Sequence, residues 1–261
     1  MNYTAAEFHL HFIAKYTLIV KANYVYDILY VIDQEGQLMV YMKYDSNRPS
    51  EEALKLLSLP FQRVYVSLPQ NNLTFIPADL FRTEDEGLYQ EFMESPNQAM
   101  ELTELDYLQI KAVYQYDVLL AQRWKSLFPE AHLIPEFKLN LMQVRPFVPL
   151  KGEVLGVVFN DTNTELFLFI NGQFQFFNSF EVITEDDLSY FILNLFQTFG
   201  IKDKVNKAVV SAVDMEPSFQ HKLQQLADEV LVIRANTKLK ATDAVPEEIT
   251  SSYLLDLPLC V

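Results

Sequence analysis

Residues spaced for chemistry are few in this chain of 261. His9 and His11 alternate on a candidate strand and would share one face, a metal-like spacing, but no third ligand follows and a structural or surface role is expected. His132 and His221 sit in no partner pattern. The chain holds no Gly-x-Ser-x-Gly elbow, no His-Glu-x-x-His and no Gly-x-x-x-x-Gly-Lys-Ser/Thr loop, so no strained nucleophile, zinc helix or phosphate-cradling loop is encoded in its usual form. Its single cysteine, Cys260, has nothing near it in sequence to lower a thiol pKa. One cysteine makes neither an intramolecular disulfide framework nor a Cys-rich zinc site. Asp27, Asp33 and Asp45 read as strand-end and solvent-face acids, and no catalytic residue and no metal site are expected. Only six residues are glycine, whereas a chain that binds phosphates on backbone N–H groups needs glycine where backbone must approach ligand.

Composition narrows the classes further. Half of the residues are hydrophobic, enough for a large core, and the length suits two small domains or one large one. A net charge of −15 repels polyphosphate backbones and anionic lipid surfaces, so nucleic acid is not the expected partner. Met1 to Phe12 has no basic run followed by a long apolar core, which argues against a secretory signal. The longest apolar stretch, Leu188 to Ile201, is interrupted by Asn194 and Gln197 and falls short of the ~20 residues of a membrane span. It reads as a buried helix with Thr184 as N-cap, Asp187 completing a capping pattern and Gly200 as its stop. No membrane insertion and a cytoplasmic setting are the expectations.

The elements that would carry any site come in two similar runs. Thr17 to Asn23, Tyr26 to Asp33 and Gln37 to Asp45 are rich in Val, Ile, Leu and Tyr and form a meander with a turn at Glu35-Gly36. The same grammar returns at Val154 to Phe159, Glu165 to Asn171 and Gln173 to Val182, with Asn171-Gly172 as a hairpin turn that tolerates positive φ. Helices follow at Ser50 to Leu59 and at Glu185 to Phe199. The first run then ends in a strand (Gln109 to Tyr116), a helix (Val118 to Phe128) and a strand (Leu133 to Phe137). The second ends likewise in Lys207 to Val213, Ser218 to Ala227 and Glu229 to Arg234, pairing Ala112-Val113 with Ala208-Val209. An extra segment at about 61–104 holds a strand at Arg63 to Leu68, a turn at Gln70 to Asn72 and a helix started by the Thr83 and Glu86 capping pattern. Pro146 to Gly152 is the natural boundary, giving an N-terminal lobe over 1–148 and a C-terminal lobe over 149–261.

Three strands in a meander, then helix, strand, helix, strand, repeated twice, is the plan of the ribonuclease H-like or actin-like ATPase fold. The second half resembles the bacterial actin-like proteins of pilus assembly and cell division. "LGVVFNDTNTELFLFI" (Leu155 to Ile170) lies where they have a strand, an Asp-x-Gly turn, a Thr and a second strand. "KAVVSAVDMEPSFQHKLQQLADEVLVI" (Lys207 to Ile233) lies where they have a strand, a Gly-Gly turn, a helix and a strand. "LTFIPADLF" (Leu73 to Phe81) is similar to a bacterial family of uncharacterised proteins with this fold. The fold class expected is α/β, a duplicated ribonuclease H-like fold of two lobes, each with a mixed five-stranded sheet and helices.

The resemblance also says where chemistry should sit, and there the residues depart from it. Active relatives cradle phosphates on two glycine-bearing hairpins, hold Mg²⁺ through acidic side chains and pack adenosine on a Gly-Gly pair. Here the first hairpin reads Lys21-Ala22-Asn23-Tyr24, the second Phe159-Asn160-Asp161, and the adenosine turn Val213-Asp214-Met215. Asp161 would repel phosphate, Tyr24 would add bulk, and Lys21 lies where a two-metal nuclease needs a carboxylate. The resemblance therefore implies a non-catalytic pseudo-ATPase acting as a binding or scaffold protein, with no cofactor. Its vestigial cleft residues would be Lys21, Asn23, Asp161, Thr164, Val213 and Asp214. The alternative is an active ATPase or phosphotransferase with atypical loops, Asp161 or Asp214 supplying the carboxylate, and a third reading is a small-ligand binder reusing the cleft. A protein partner is expected, a second copy of the chain included, and the Tyr- and Phe-bearing segment from Arg63 to Phe92 is the favoured place for it.

Overall fold

The structure, a computed structural model, describes residues 2–93, 95, 98–160, 163–211, 215–242 and 245–261. The chain forms two compact units, Met1–Leu139 with Asn236–Val261, and Asn140–Ala235. The first unit contains β1 (Tyr3–Thr4), β2 (Thr17–Lys21), β3 (Tyr26–Ile32), β4 (Leu38–Asp45), α1 (Glu51–Leu57) and β5 (Arg63–Leu68). It continues with β6 (Gln70–Pro77), α2 (Glu86–Glu91), β7 (Glu101–Leu105), β8 (Ile110–Tyr116), α3 (Val118–Leu127), β9 (His132–Pro135) and the start of α4 (Glu136–Val144). The second unit holds β10 (Glu153–Phe159), β11 (Thr164–Ile170), β12 (Gln173–Phe180), α5 (Glu185–Phe199), β13 (Val205–Ser211), α6 (Pro217–Leu226) and β14 (Ala227–Val232).

Both units build the same sheet. The first has the order β1-β4-β3-β2-β5-β9 and the second β12-β11-β10-β13-β14. In each, a three-stranded antiparallel meander adds two parallel strands beside its first strand. Two-residue β1 extends the first sheet to six strands. The central strands are apolar on both faces, as Leu18, Ile19 and Val20 of β2 and Val154, Leu155, Val157 and Val158 of β10 show by their burial, because each is covered on both sides.

One expected pairing is corrected. The counterpart of β13 is β5, which runs parallel to β2 with Leu18 opposite Val64 and Val20 opposite Val66. Gln109 to Tyr116 instead forms β8, the middle strand of a separate antiparallel sheet β6-β8-β7. Ala112-Val113 therefore does not correspond to Ala208-Val209. The confusion has a physical source, since β5 and β8 are both short buried apolar runs.

Local signals act largely as expected. Asn171 and Gly172 both take positive φ at the β11–β12 hairpin. Thr184 and Asp187 make a reciprocal capping box, and the backbone N–H bonds that Asp187 accepts hold its carboxyl below the usual carboxylate range. Gly200 ends α5 in the left-handed conformation. Thr83 does not cap α2, which starts one turn later with Asp85 at its N-cap position. Leu133 to Phe137 is not one strand, since β9 stops at Pro135 and α4 begins. The segment 236–261 closes the first unit. Asp256, wholly buried, accepts from the Asn236 and Thr237 amides at 2.8 and 2.9 Å, and a 3-10 helix over Tyr253–Cys260 packs on β2 and β5. No helix among the described residues is long and apolar enough to cross a membrane.

Two buried features carry measurable weight. Gly156 on β10 lies opposite Phe167 on β11, and a Cβ there would come within 2.0 Å of the buried Phe167 ring, which also stacks on Phe177. Gly156→Ala should overpack this contact and cost about 1–3 kcal/mol in chemical denaturation, while a variant as stable as wild type would show that the ring has room to turn. On the first unit Asp27 is wholly buried, and Arg123 of α3 donates to it at 2.7 Å and to the Tyr44 hydroxyl at 3.4 Å. Burial pushes the Asp27 carboxyl above the usual carboxylate range, with Arg123, the Asn23 amide and Tyr44 pulling it back. The native state thus keeps this proton to higher pH than the unfolded chain, so stability falls as pH rises from the unfolded carboxylate range through the native titration of Asp27. Asp27→Asn should remove that slope from a stability-versus-pH curve. Arg123→Ala should cost about 3 kcal/mol at neutral pH, and less in acid, where Asp27 can protonate.

Candidate functional site

In the first unit the expected phosphate hairpin is the β2–β3 turn. β2 ends at Lys21, and the next amide, Ala22, donates to the Ser67 carbonyl of β5 at 3.0 Å. Lys21 is only 5% exposed. Its Nζ donates to the Tyr253 hydroxyl at 3.0 Å and stands 3.7 Å from Glu136 Oε1, so one buried cation joins β2, the first residue of α4 and the closing 3-10 helix. The turn's own amides are also engaged. Asn23 N–H donates to Asp27 Oδ1 at 3.1 Å, and Tyr24 N–H to Asn23 Oδ1 at 2.8 Å. Donors that would face an anion in a phosphate hairpin are here satisfied by side chains of the protein. Burial raises the Tyr24 phenol pKa, and the carboxylates of Asp117 and Glu136 add to the rise.

In the second unit the corresponding turn follows β10. Phe159 packs its ring 5.1 Å from that of Phe219 on α6, pairs with Thr164 across the hairpin, and Asn160 N–H bonds to the Asn163 carbonyl at 2.9 Å. Thr164 is buried at the start of β11. Asp161, Val213 and Asp214 lie outside the described residues. Lys21 and Asn23 thus share one turn of the first unit, and Thr164 belongs to the second.

The second unit also holds a polar cluster that sequence reasoning missed. Glu165 and Ser211 both pair with Val158 from its two sides and so share one face of the sheet. Both are buried, and Asn140 of α4 donates to Glu165 Oε2 at 3.1 Å. Ser211 Oγ and Asn140 Oδ1 are buried without a hydrogen-bond partner among the described residues. The available signal was Glu165 itself, an acid next to the apolar run Leu166 to Ile170.

A cavity of about 410 Å³ opens in the first unit between β7, the outer strand of the three-stranded sheet, and β9, the outer strand of the six-stranded one. Tyr114 and Tyr116 line it, their hydroxyls 3.4 Å apart. Burial pushes both phenols up, Tyr114 to about 12, so they stay protonated donors at neutral pH. Lys125 and Lys138 bring positive charge. Cys260 also faces the cavity, with burial pushing its thiol to about 12, which leaves it a neutral group and a poor nucleophile. His9 and His11 are not on a strand; His9 caps a 3-10 helix over Leu10–Lys15, its Nδ1 accepting the His11 amide at 3.1 Å. Among the described residues no three His, Cys, Asp or Glu side chains converge as a metal-binding group.

The Lys21 cluster makes a sharp energetic test. Lys21→Met takes the cation from beside the buried Glu136 and should cost about 3–5 kcal/mol, and Glu136→Gln should also destabilise. The double variant, free of both charges, should recover most of that loss in urea unfolding; additive losses would mean that the two side chains do not depend on each other.

The fold has counterparts among solved structures. A Bacteroides thetaiotaomicron VPI-5482 protein with actin-like ATPase fold and unknown function superposes with a TM-score of 0.72 at 14% identity, covering 98% of this chain and 100% of its own. A structure of the PilM-PilN type IV pilus biogenesis complex aligns with a TM-score of 0.54 at 11% identity, over 94% of this chain and 97% of the other. No curated protein matches in sequence. The two sheet-rich units therefore have the actin-like ATPase fold, as the repeated strand order implied. A family model covers residues 5–230, and on that match the chain belongs to the family described as Protein of unknown function (DUF3822).

Proposed function

We propose that this protein is a non-catalytic, actin-like pseudo-ATPase that works as a protein-binding or scaffold module. One observation carries the reading. The turn after β2, where an actin-like ATPase offers free amides to phosphate, has its Asn23 and Tyr24 amides engaged by Asp27 and Asn23 and a buried Lys21 engaged by Glu136 and Tyr253. An incoming triphosphate would have to break these bonds and face the Asp27 carboxylate. The Phe159 ring at the second hairpin and the missing glycines point the same way.

The cavity between β7 and β9 supports the binding half of the proposal. Two outer strands, two phenol donors and two lysines suit an extended polypeptide bearing acidic groups. Its lining draws on the sheet that interrupts the repeat, and none of it falls within the Arg63 to Phe92 segment favoured from sequence. One structural neighbour is itself a complex of two proteins, PilM and PilN.

A thermal-melt series with Mg²⁺ and ATP, ADP, GTP or no nucleotide tests the reading. A ligand at about 100 times its dissociation constant stabilises by ~2.7 kcal/mol, a shift of several degrees. The expected result is no shift at millimolar nucleotide. A clear shift with ATP would overturn the proposal and favour an active ATPase with atypical loops.

A further inference from the structure

β12 is the outermost strand of the second unit's sheet, bonded to β11 on one side, with no strand on its other side among the described residues. Outer strands are commonly guarded against foreign pairing by Lys, Pro or inward charges. Gln173 to Phe180 has no charge and no proline, in a chain that is 21% charged. Beside it, α5 is uncharged from Leu188 onward and shows Tyr190 to solvent at 65% exposure. The helix reaches the strand through Phe191, whose ring stacks on Phe180 at 4.3 Å. Strand edge and helix flank together form an uncharged surface on a molecule of net charge −15.

The pattern on that edge selects its occupant. Phe176, Asn178 and Phe180 lie opposite Leu168, Leu166 and Thr164 of β11, and so project from one face of β12. Aromatic, amide, aromatic reads the same in both directions. A second β12 laid antiparallel about Asn178 sets each Phe176 against Phe180 of the second copy and Asn178 against Asn178, with Phe177 against Ser179 on the other face. No charge meets a like charge, whereas most of the remaining surface of an acidic chain repels its copy. The two-fold axis stands perpendicular to the sheet, which keeps both α5 helices on one side. The irregularity in the β11–β12 ladder beside Phe174 and Phe176 ends the matching run at Gln175. The Ser179 amide now donates to Asn178 Oδ1 at 2.9 Å, a local bond of the kind an outer strand makes.

We propose that the chain self-associates through this edge, two copies joining β12 to β12 antiparallel about Asn178 so that two five-stranded sheets become one. The surface lies in the second unit and its test uses no nucleotide, so it stands or falls separately from the pseudo-ATPase reading.

Sedimentation equilibrium of the full chain over a concentration series should give twice the 30.3 kDa monomer mass. Asn178→Lys, which sets two ammonium groups face to face on the axis, should return the monomer with an unchanged far-UV circular dichroism spectrum. Directly opposed antiparallel residues have Cα atoms ~4.5–5.5 Å apart, within a disulfide's span. Asn178→Cys should therefore cross-link to its own copy on mild oxidation, and Gln175→Cys, exposed but outside the register, should not. A wild type that stays monomeric, a dimer indifferent to Asn178→Lys, or equal cross-linking at the two positions would overturn the proposal. Should the lysine variant misfold, the cysteine pair decides.

Discussion

A carboxylate taken fully out of water must collect its hydrogen bonds from whatever is packed around it, and Asp27 collects them from three places that have to be held together. It binds the Asn23 amide in the turn it follows, the Arg123 guanidinium on α3, and it lies beside the Tyr44 hydroxyl on β4, which Arg123 also reaches. The turn after β2, the helix over the sheet and the third strand of the meander are thereby fixed by one group. The Lys21 cluster sits at the other end of the same short turn and adds Glu136 and Tyr253. Two buried charges within a few residues, each needing partners from distant chain, leave the turn little freedom to open for a ligand.

The two units show how one sheet plan can close the same turn by different physics. In the first, polar side chains satisfy the hairpin amides, and charge is neutralised pair by pair. In the second, an aromatic ring fills the end of β10, Phe159 against Phe219, and the backbone closes on itself from Asn160 to Asn163. Polar groups of the second unit are displaced onto the far face of its sheet, where Glu165 and Asn140 hold each other.

Much of this was legible in the sequence because it rests on local rules. The meanders declared themselves through β-branched runs and the Asn171-Gly172 turn, and α5 through Thr184, Asp187 and Gly200. What failed depended on tertiary context. α4 is buried around most of its girth, with Phe137, Leu139, Leu141 and Val144 all inaccessible, so its apolar residues lack the helical period of a one-sided surface and its first residues pass for a strand. β5 and β8 have equivalent local character, and only their partners decide which belongs to the repeat. The candidate residues Lys21 and Asn23 lie at one turn, yet what engages them, Asp27, Glu136 and Tyr253, could not be seen without the fold, since Tyr253 is 232 positions from Lys21.

That separation bears on how the molecule is made. The second unit is one unbroken stretch, Asn140–Ala235, whereas the first is interrupted by it and finished only by Asn236–Val261. On the ribosome the second unit has all its strands before the first has Tyr253 for Lys21 or Asp256 for the Asn236 amide. Contacts of such long range carry a loop-closure cost that is met late. The unit whose strands are made first is thus the unit that completes last, with β2 and β5 waiting for the later segment that covers them.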